Sequence, residues 1–212
     1  MYFIGIAGGS GSGKTTFGKK LLNASPSILT ISMDSYYLPT ISDIPKTKSG
    51  KPNFDHPKAF DWELFRTHLS QLNNGESVNI PIYDFNESVR VKNKHLAVRA
   101  ENIVIIEGIF TLYDPVIRKI LSVKCFLDVA CDVRFIRRLE RDVKERGRDL
   151  DSIINQYYDS VRPMYKKYLE PQKQHADIVI GHESDIASSV LSSQIKQISN
   201  ERNSNTTHDQ MC

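Results

Sequence analysis

The 212-residue chain carries 28 Lys and Arg against 25 Asp and Glu, a net charge of +3, with 40% hydrophobic and 25% charged residues. That balance is ordinary for a soluble globular protein and excludes a general electrostatic attraction to nucleic acid or to an anionic membrane. Three cysteines, Cys125, Cys131 and Cys212, lack metal-type spacing, and their odd number argues against a disulfide framework. A strand starting at Tyr2 leaves no room for a signal peptide, and no apolar run reaches the ~18 residues of a membrane span. A cytoplasmic protein is expected.

The first predicted strand, Tyr2 to Ala7, runs straight into Gly8-Gly9-Ser10-Gly11-Ser12-Gly13-Lys14-Thr15-Thr16. This matches G-x-x-x-x-G-K-[ST], the P-loop, and Phe17, Leu21 and Leu22 at helical spacing supply the helix that must follow it. Phosphate oxygens are approached closely by consecutive backbone N–H groups, which a Cβ would obstruct, and the helix offers its positive end to the anion. Residues 8–16 are therefore expected to bind ATP, with Lys14 reaching the outer phosphates and the Thr15 hydroxyl holding Mg²⁺.

A second strand, Ile28 to Met33, ends at Asp34, which is placed either to act as a base or Mg²⁺ contact or to cap the next loop. Ser35 to Lys58 is too long and too rich in proline for a simple connector. Within it lies Asn53-Phe54-Asp55-His56-Pro57, where His56 reads as structural. A helix from Asp61 carries the apolar stripe Trp62, Phe65, Leu69 and Leu72. Val78 to Arg90 and Lys94 to Arg99 read as a small antiparallel appendage, within about 76–100. Its alternating Tyr83 and Phe85 form either a packing patch or a ligand contact.

Asn102 to Gly108 is an apolar strand ending in an acid, Glu107, in the place where P-loop enzymes position Mg²⁺. Lys124 to Val129 is the next strand. About residues 132–149 form a basic helix with an apolar seam of Ile136, Leu139 and Val143 and an arginine-rich outer face. Arginine rather than lysine predominates there, as suits a lid that grips phosphate in a bidentate fork. A helix from Leu150, a short strand at Asp177 to Gly181 and a closing helix Ile186 to Ile198 complete one domain, 1–198. Residues 199–212 read as a disordered tail.

Five apolar strands separated by helices imply an α/β fold, a parallel doubly wound sheet with an antiparallel β appendage and an arginine-rich helical lid. Phosphoryl transfer to a small acceptor under the lid fits best. The guanine-reading Asn-Lys-x-Asp motif of a GTPase is absent, and there is no second motor domain.

Taken together, residues 3 to 185 resemble the uridine kinase family of P-loop kinases, relatives of phosphoribulokinase. The landmarks are the P-loop, Asp34-Ser35-Tyr36-Tyr37, Asn53-Phe54-Asp55-His56-Pro57, Pro81-Ile82-Tyr83-Asp84-Phe85, Ile106-Glu107-Gly108, Glu145-Arg146-Gly147-Arg148-Asp149 and Gln156-Tyr157. The resemblance implies ATP-dependent phosphorylation of the 5′-hydroxyl of uridine or cytidine, with Mg²⁺ and without nucleic-acid or membrane partners. Asp34 would be the general base, helped by Lys14 and Arg141. Asp55 would bind the ribose, Tyr37, Tyr83 and Phe85 would surround the base, and Arg148 and Gln156 would face the nucleoside. Arg138 and Arg141 would meet phosphate, Thr15 and Glu107 would serve the metal, and Asp185 would lie near the adenine. Ser88 stands where the family usually has a base-reading histidine, which leaves the identity of the base open between uridine, cytidine and another alcohol acceptor. A nucleotide-binding regulatory protein without turnover is the competing class, and a homotetramer joined through the appendage is also implied.

Overall fold

The computed structural model describes residues 1–84 and 87–208, with side chains to residue 201. Among the described residues there are seven strands and seven α-helices: β1 Tyr2–Gly8, α1 Lys14–Leu22, β2 Ile28–Ser32, α2 Trp62–Asn73, β3 Val78–Asp84, β4 Val89–Val98, β5 Ile103–Gly108, α3 Pro115–Ile120, β6 Val123–Leu127, α4 Cys131–Lys144, α5 Leu150–Gln156, α6 Arg162–Met164, β7 Ile178–Ile180 and α7 Asp185–His208. Five of the strands form one parallel sheet in the order β2-β5-β1-β6-β7, and β3 and β4 form a separate antiparallel hairpin.

Alternation along the strands divides the core into two layers. Phe3, Val104, Ile106 and Phe126 face one side of the sheet, where α2 supplies Phe65, Leu69 and Leu72. Ile4, Ile6, Ile103 and Ile105 face the other, against Phe17 and Leu21 of α1 and Leu191 and Ile195 of α7. Both faces are covered, which is why these strands read as continuous apolar runs. Cys125 is a fully buried member of the second layer, as its place in a strand suggests.

α2 starts where expected, because the Asp61 carboxylate accepts from the Leu64 amide at 3.1 Å. Three boundaries differ from the sequence reading. β3 ends at Asp84 and β4 already starts at Val89, rather than the first strand running on to Arg90, and Ser88 takes the left-handed region at φ 55. Asn93, at φ 57, lets β4 carry extra residues where the register shifts between Pro81 and Tyr83. α7 continues beyond Ile198 into the segment read as a tail, and its next turn is tied down by the Ser199 and Ser25 hydroxyls, 2.8 Å apart. Residues 209–212 lie outside the described residues. No described helix is long and apolar enough to cross a membrane.

Candidate active site

The C-terminal ends of β1, β2 and β5 open into a cleft of about 1240 Å³. Parallel sheets gather ligands at this edge. β5 lies between β2 and β1, with Glu107 in register with Ser32 on one side and Ile6 on the other. Its carboxylate thus stands between the P-loop, which follows β1, and Asp34, which follows β2.

The P-loop is held against α4. A Cβ on Gly11, at φ +79, would lie 2.2 Å from the Arg134 carbonyl oxygen, so only glycine fits there. Gly13 caps α1 at φ 91, again in the left-handed region. Lys14 Nζ donates to the Gly9 carbonyl at 3.1 Å, and the Thr15 hydroxyl donates to Glu107 Oε1 at 3.3 Å. Burial pushes the Lys14 ammonium below its ordinary pKa, a shift opposed by Glu107 and Asp34. Burial pushes the Asp34 carboxyl up to about 6, with Glu107 adding to the rise while Lys14, Arg146 and Arg141 oppose it.

The acceptor end is built from the loop before α2 and from the hairpin. The Tyr37 and Tyr83 rings lie 5.3 Å apart, and Phe54 meets the Tyr37 ring edge-on at 5.4 Å. Burial raises the Tyr83 phenol to about 12, with Asp34 adding to it and the Ser88 side chain opposing it through a hydrogen bond. Asp55 accepts from the Ser160 hydroxyl at 2.7 Å. His56 is structural, as read from the sequence: its Nδ1 accepts from the Lys58 amide and its Nε2 meets the Tyr168 hydroxyl.

The lid helix overturns the expected orientation. The supposed seam is exposed at Ile136 (54%) and Val143 (43%), whereas Arg134 (5%), Arg138 (7%) and Asp142 (0%) are buried. The arginine side turns inward because polar partners wait there. Arg134 Nε donates to the Val129 carbonyl at 2.9 Å, and its guanidinium lies 3.8 Å from the Tyr165 ring centroid. Arg138 donates to Ser10 Oγ at 3.2 Å and to Gln156 Oε1 at 2.9 Å. Arg148 reaches the same Gln156 oxygen at 2.7 Å.

Of the residues singled out from sequence, Ser10, Gly11, Gly13, Lys14, Thr15, Thr16, Asp34, Tyr37, Asp55, Tyr83, Ser88, Glu107, Arg138, Arg141, Arg148 and Gln156 line this one cleft. Gly8, Gly9 and Ser12 belong to the loop but do not line it. Asp185 stands apart, paired with Lys20 Nζ at 2.5 Å. Phe85 lies outside the described residues. The sequence reading missed Ser160 and, within the overlong loop it flagged, did not single out the strap at 47–52, whose Thr47, Ser49, Lys51 and Pro52 line the cleft with Ser160. Ser160 follows Gln156 by one helical turn, and that spacing was the available signal.

The chain matches the family model described as "Phosphoribulokinase / Uridine kinase family" over residues 3–188. It is 44% identical over 203 residues to a uridine kinase of Lactobacillus helveticus strain DPC 4571, covering 93% of this chain and 95% of that protein. It is 42% identical over 180 residues to a uridine kinase of Halobacterium salinarum, covering 84% of this chain and 79% of that one. The fold is similar to that of phosphoribulokinase from Rhodobacter spheroides, at a TM-score of 0.60 and 13% identity, covering 85% of this chain and 69% of that one. With a P-loop, a strand-end acid and an arginine-lined cleft on a five-stranded parallel sheet, the chain belongs to the phosphoribulokinase and uridine kinase family of P-loop kinases.

Proposed function

We propose that the chain transfers the γ-phosphoryl group of ATP to the 5′-hydroxyl of a pyrimidine nucleoside, uridine or cytidine. One observation carries the reading: a P-loop, a carboxylate with a raised pKa, an arginine-bearing lid and an aromatic slot beside a buried acid share one cleft. Relatives named uridine kinase, matching nearly the whole chain at 44% identity, support it.

Each group has a task. Lys14 and the arginines Arg138 and Arg141 spread positive charge over the transferring phosphoryl oxygens, where most of the rate gain of such reactions arises. Asp34 accepts the proton of the attacking hydroxyl, and a pKa of about 6 makes it a stronger base than an exposed aspartate. Asp55, oriented by Ser160, receives the ribose hydroxyls. Tyr37 and Tyr83, whose rings lie 5.3 Å apart and so touch each other, form one aromatic wall beside the base. Thr15 and Glu107 form an all-oxygen pair at the head of α1, a donor set that suits a hard divalent cation, Mg²⁺. When bound there with ATP, Mg²⁺ supplies charge neutralisation at the β- and γ-phosphates.

Acceptor-dependent ADP release with Mg-ATP, tried on uridine, cytidine, other nucleosides, ribulose 5-phosphate and pantothenate, tests the proposal. Turnover with uridine or cytidine is expected, together with loss of turnover but retention of ATP binding in Asp34→Asn. Silence on both pyrimidine nucleosides with another acceptor active would overturn the acceptor assignment.

A further inference from the structure

In the last turn of α4, on its inward face, sits one acid that does not line the cleft. Asp142 is completely buried, and both of its oxygens are engaged. Oδ1 accepts from Arg141 Nε at 2.9 Å and Nη2 at 2.7 Å, and lies 3.5 Å from Arg146 Nη1. Oδ2 lies 3.5 Å from both Arg138 Nε and Arg148 Nη1. The Asp142 carbonyl also accepts from the Arg148 amide at 3.0 Å, which fixes the turn after the helix. One carboxylate therefore gathers four guanidinium groups that come from α4 and from the loop beyond it. A buried carboxylate is costly unless it is paired on all sides, and here it is.

The same four arginines line the cleft. Arg138 continues to Ser10 of the P-loop, and Arg138 and Arg148 converge on Gln156 of α5. A single negative charge cannot neutralise four positive ones, so the array keeps the excess positive charge that a triphosphate matches. Arginine side chains are rotamer-rich, and holding them in place beforehand removes an ordering cost from the reaction.

We propose that Asp142 is a positioning residue of this kinase, which holds Arg138, Arg141, Arg146 and Arg148 as one array aimed at the transferring phosphoryl group without touching either substrate. The inference rests on the phosphotransfer reading above. It extends it from the residues that meet phosphate to the residue that aligns them.

Asp142→Asn is the test, because it keeps the shape while replacing one acceptor oxygen by a donor that guanidinium groups repel. The expected result is a fall in kcat of about 100-fold with a much smaller change in the KM for ATP, whose P-loop contacts stay intact. Asp142→Glu, which keeps the charge on a longer stem, should recover part of the kcat. Limited trypsin digestion gives a readout that needs no acceptor. Cleavage after Arg141, Arg146 and Arg148 should be faster in Asp142→Asn than in the wild type, at temperatures well below both melting points.

Unchanged kcat together with an unchanged trypsin pattern would overturn the proposal. So would failure of both variants to fold, which would assign Asp142 to stability alone. A wild type silent on uridine and cytidine would sink the acceptor assignment only. The trypsin comparison, and kcat on whichever acceptor turns over, would still decide the role of Asp142.

Discussion

Asp34 titrates near 6 in the fold against 3.8 as an ordinary aspartate, because burial and the Glu107 carboxylate both disfavour its charge. The raised value makes it a competent base and also costs stability. The folded state binds the proton more tightly than the unfolded one, so ionising Asp34 destabilises the protein as pH rises from about 4 to about 6. Asp34→Asn should therefore abolish turnover yet raise the melting temperature by several degrees at pH 7.5, equivalent to about 3 kcal/mol at most. Thermal scans across pH check the sign: the gain should be full above pH 6 and vanish as pH falls towards 4. In the wild type, kcat should fall below about pH 6 as Asp34 takes up its proton. Ser160→Ala makes a second test at this scale. It removes the 2.7 Å hydrogen bond to buried Asp55, and the acceptor KM should rise about ten-fold with the ATP KM unmoved. The two residues differ in how they could be read from sequence. Asp34 is announced by the strand that ends on it, whereas Ser160 meets Asp55 across 105 positions, and no local pattern encodes such a pairing.

Among the elements, the strap across the acceptor end is built from weak parts. Thr47 and Lys51 close a turn with an N–H to O distance of 2.7 Å, and Gly50 takes φ +82 within it. The tip is tied to the helical segment after α5, where the Ser49 hydroxyl donates to Asp159, whose carboxyl the Ser49 and Thr47 hydroxyls hold below its ordinary range. Asp159→Ala frees the tip. Because the bond is exposed, the effect should be small, a rise of about two- to five-fold in the acceptor KM and none in the ATP KM, read from steady-state kinetics with each substrate varied in turn. The strap was visible in sequence as an overlong loop, but its anchor, 110 residues away, was not. The lid was legible in composition and misread in orientation. Ile136, Leu139 and Val143 obey helical spacing, and the rule that apolar residues face inward points them at the core. That rule fails where buried acceptors outbid it: Asp142, Gln156, Ser10 and the Val129 carbonyl give the arginines an inward side that the apolar residues cannot match.

In the molecule as a whole, the two apolar layers separate stability from acceptor binding. The P-loop and the five strands follow from local patterns, since each strand carries its own apolar run, but their order, β2-β5-β1-β6-β7, is set by tertiary packing and no local pattern encodes it. What the layers do for the site is visible only in three dimensions. Ile195 of α7 is fully buried in the layer with Ile4, Ile6 and Phe17, on the face away from α2 and its aromatic neighbours. Phe65 of α2 lies in the opposite layer, with its ring 4.6 Å from that of Tyr36, the residue next to Tyr37 of the acceptor slot. Ile195→Ala and Phe65→Ala should each cost about 2 to 5 kcal/mol of unfolding free energy through the cavity they leave. Their effects on catalysis should diverge. Measured at 20 °C, where both variants remain folded, Ile195→Ala should keep the wild-type KM for both substrates, because its cavity opens behind the sheet. Phe65→Ala should raise the acceptor KM several-fold, because Tyr36 relaxes into the space and carries Tyr37 with it. Equal changes in acceptor KM would mean that the sheet transmits packing strain through both layers, and that the acceptor slot is supported by the whole core rather than by α2.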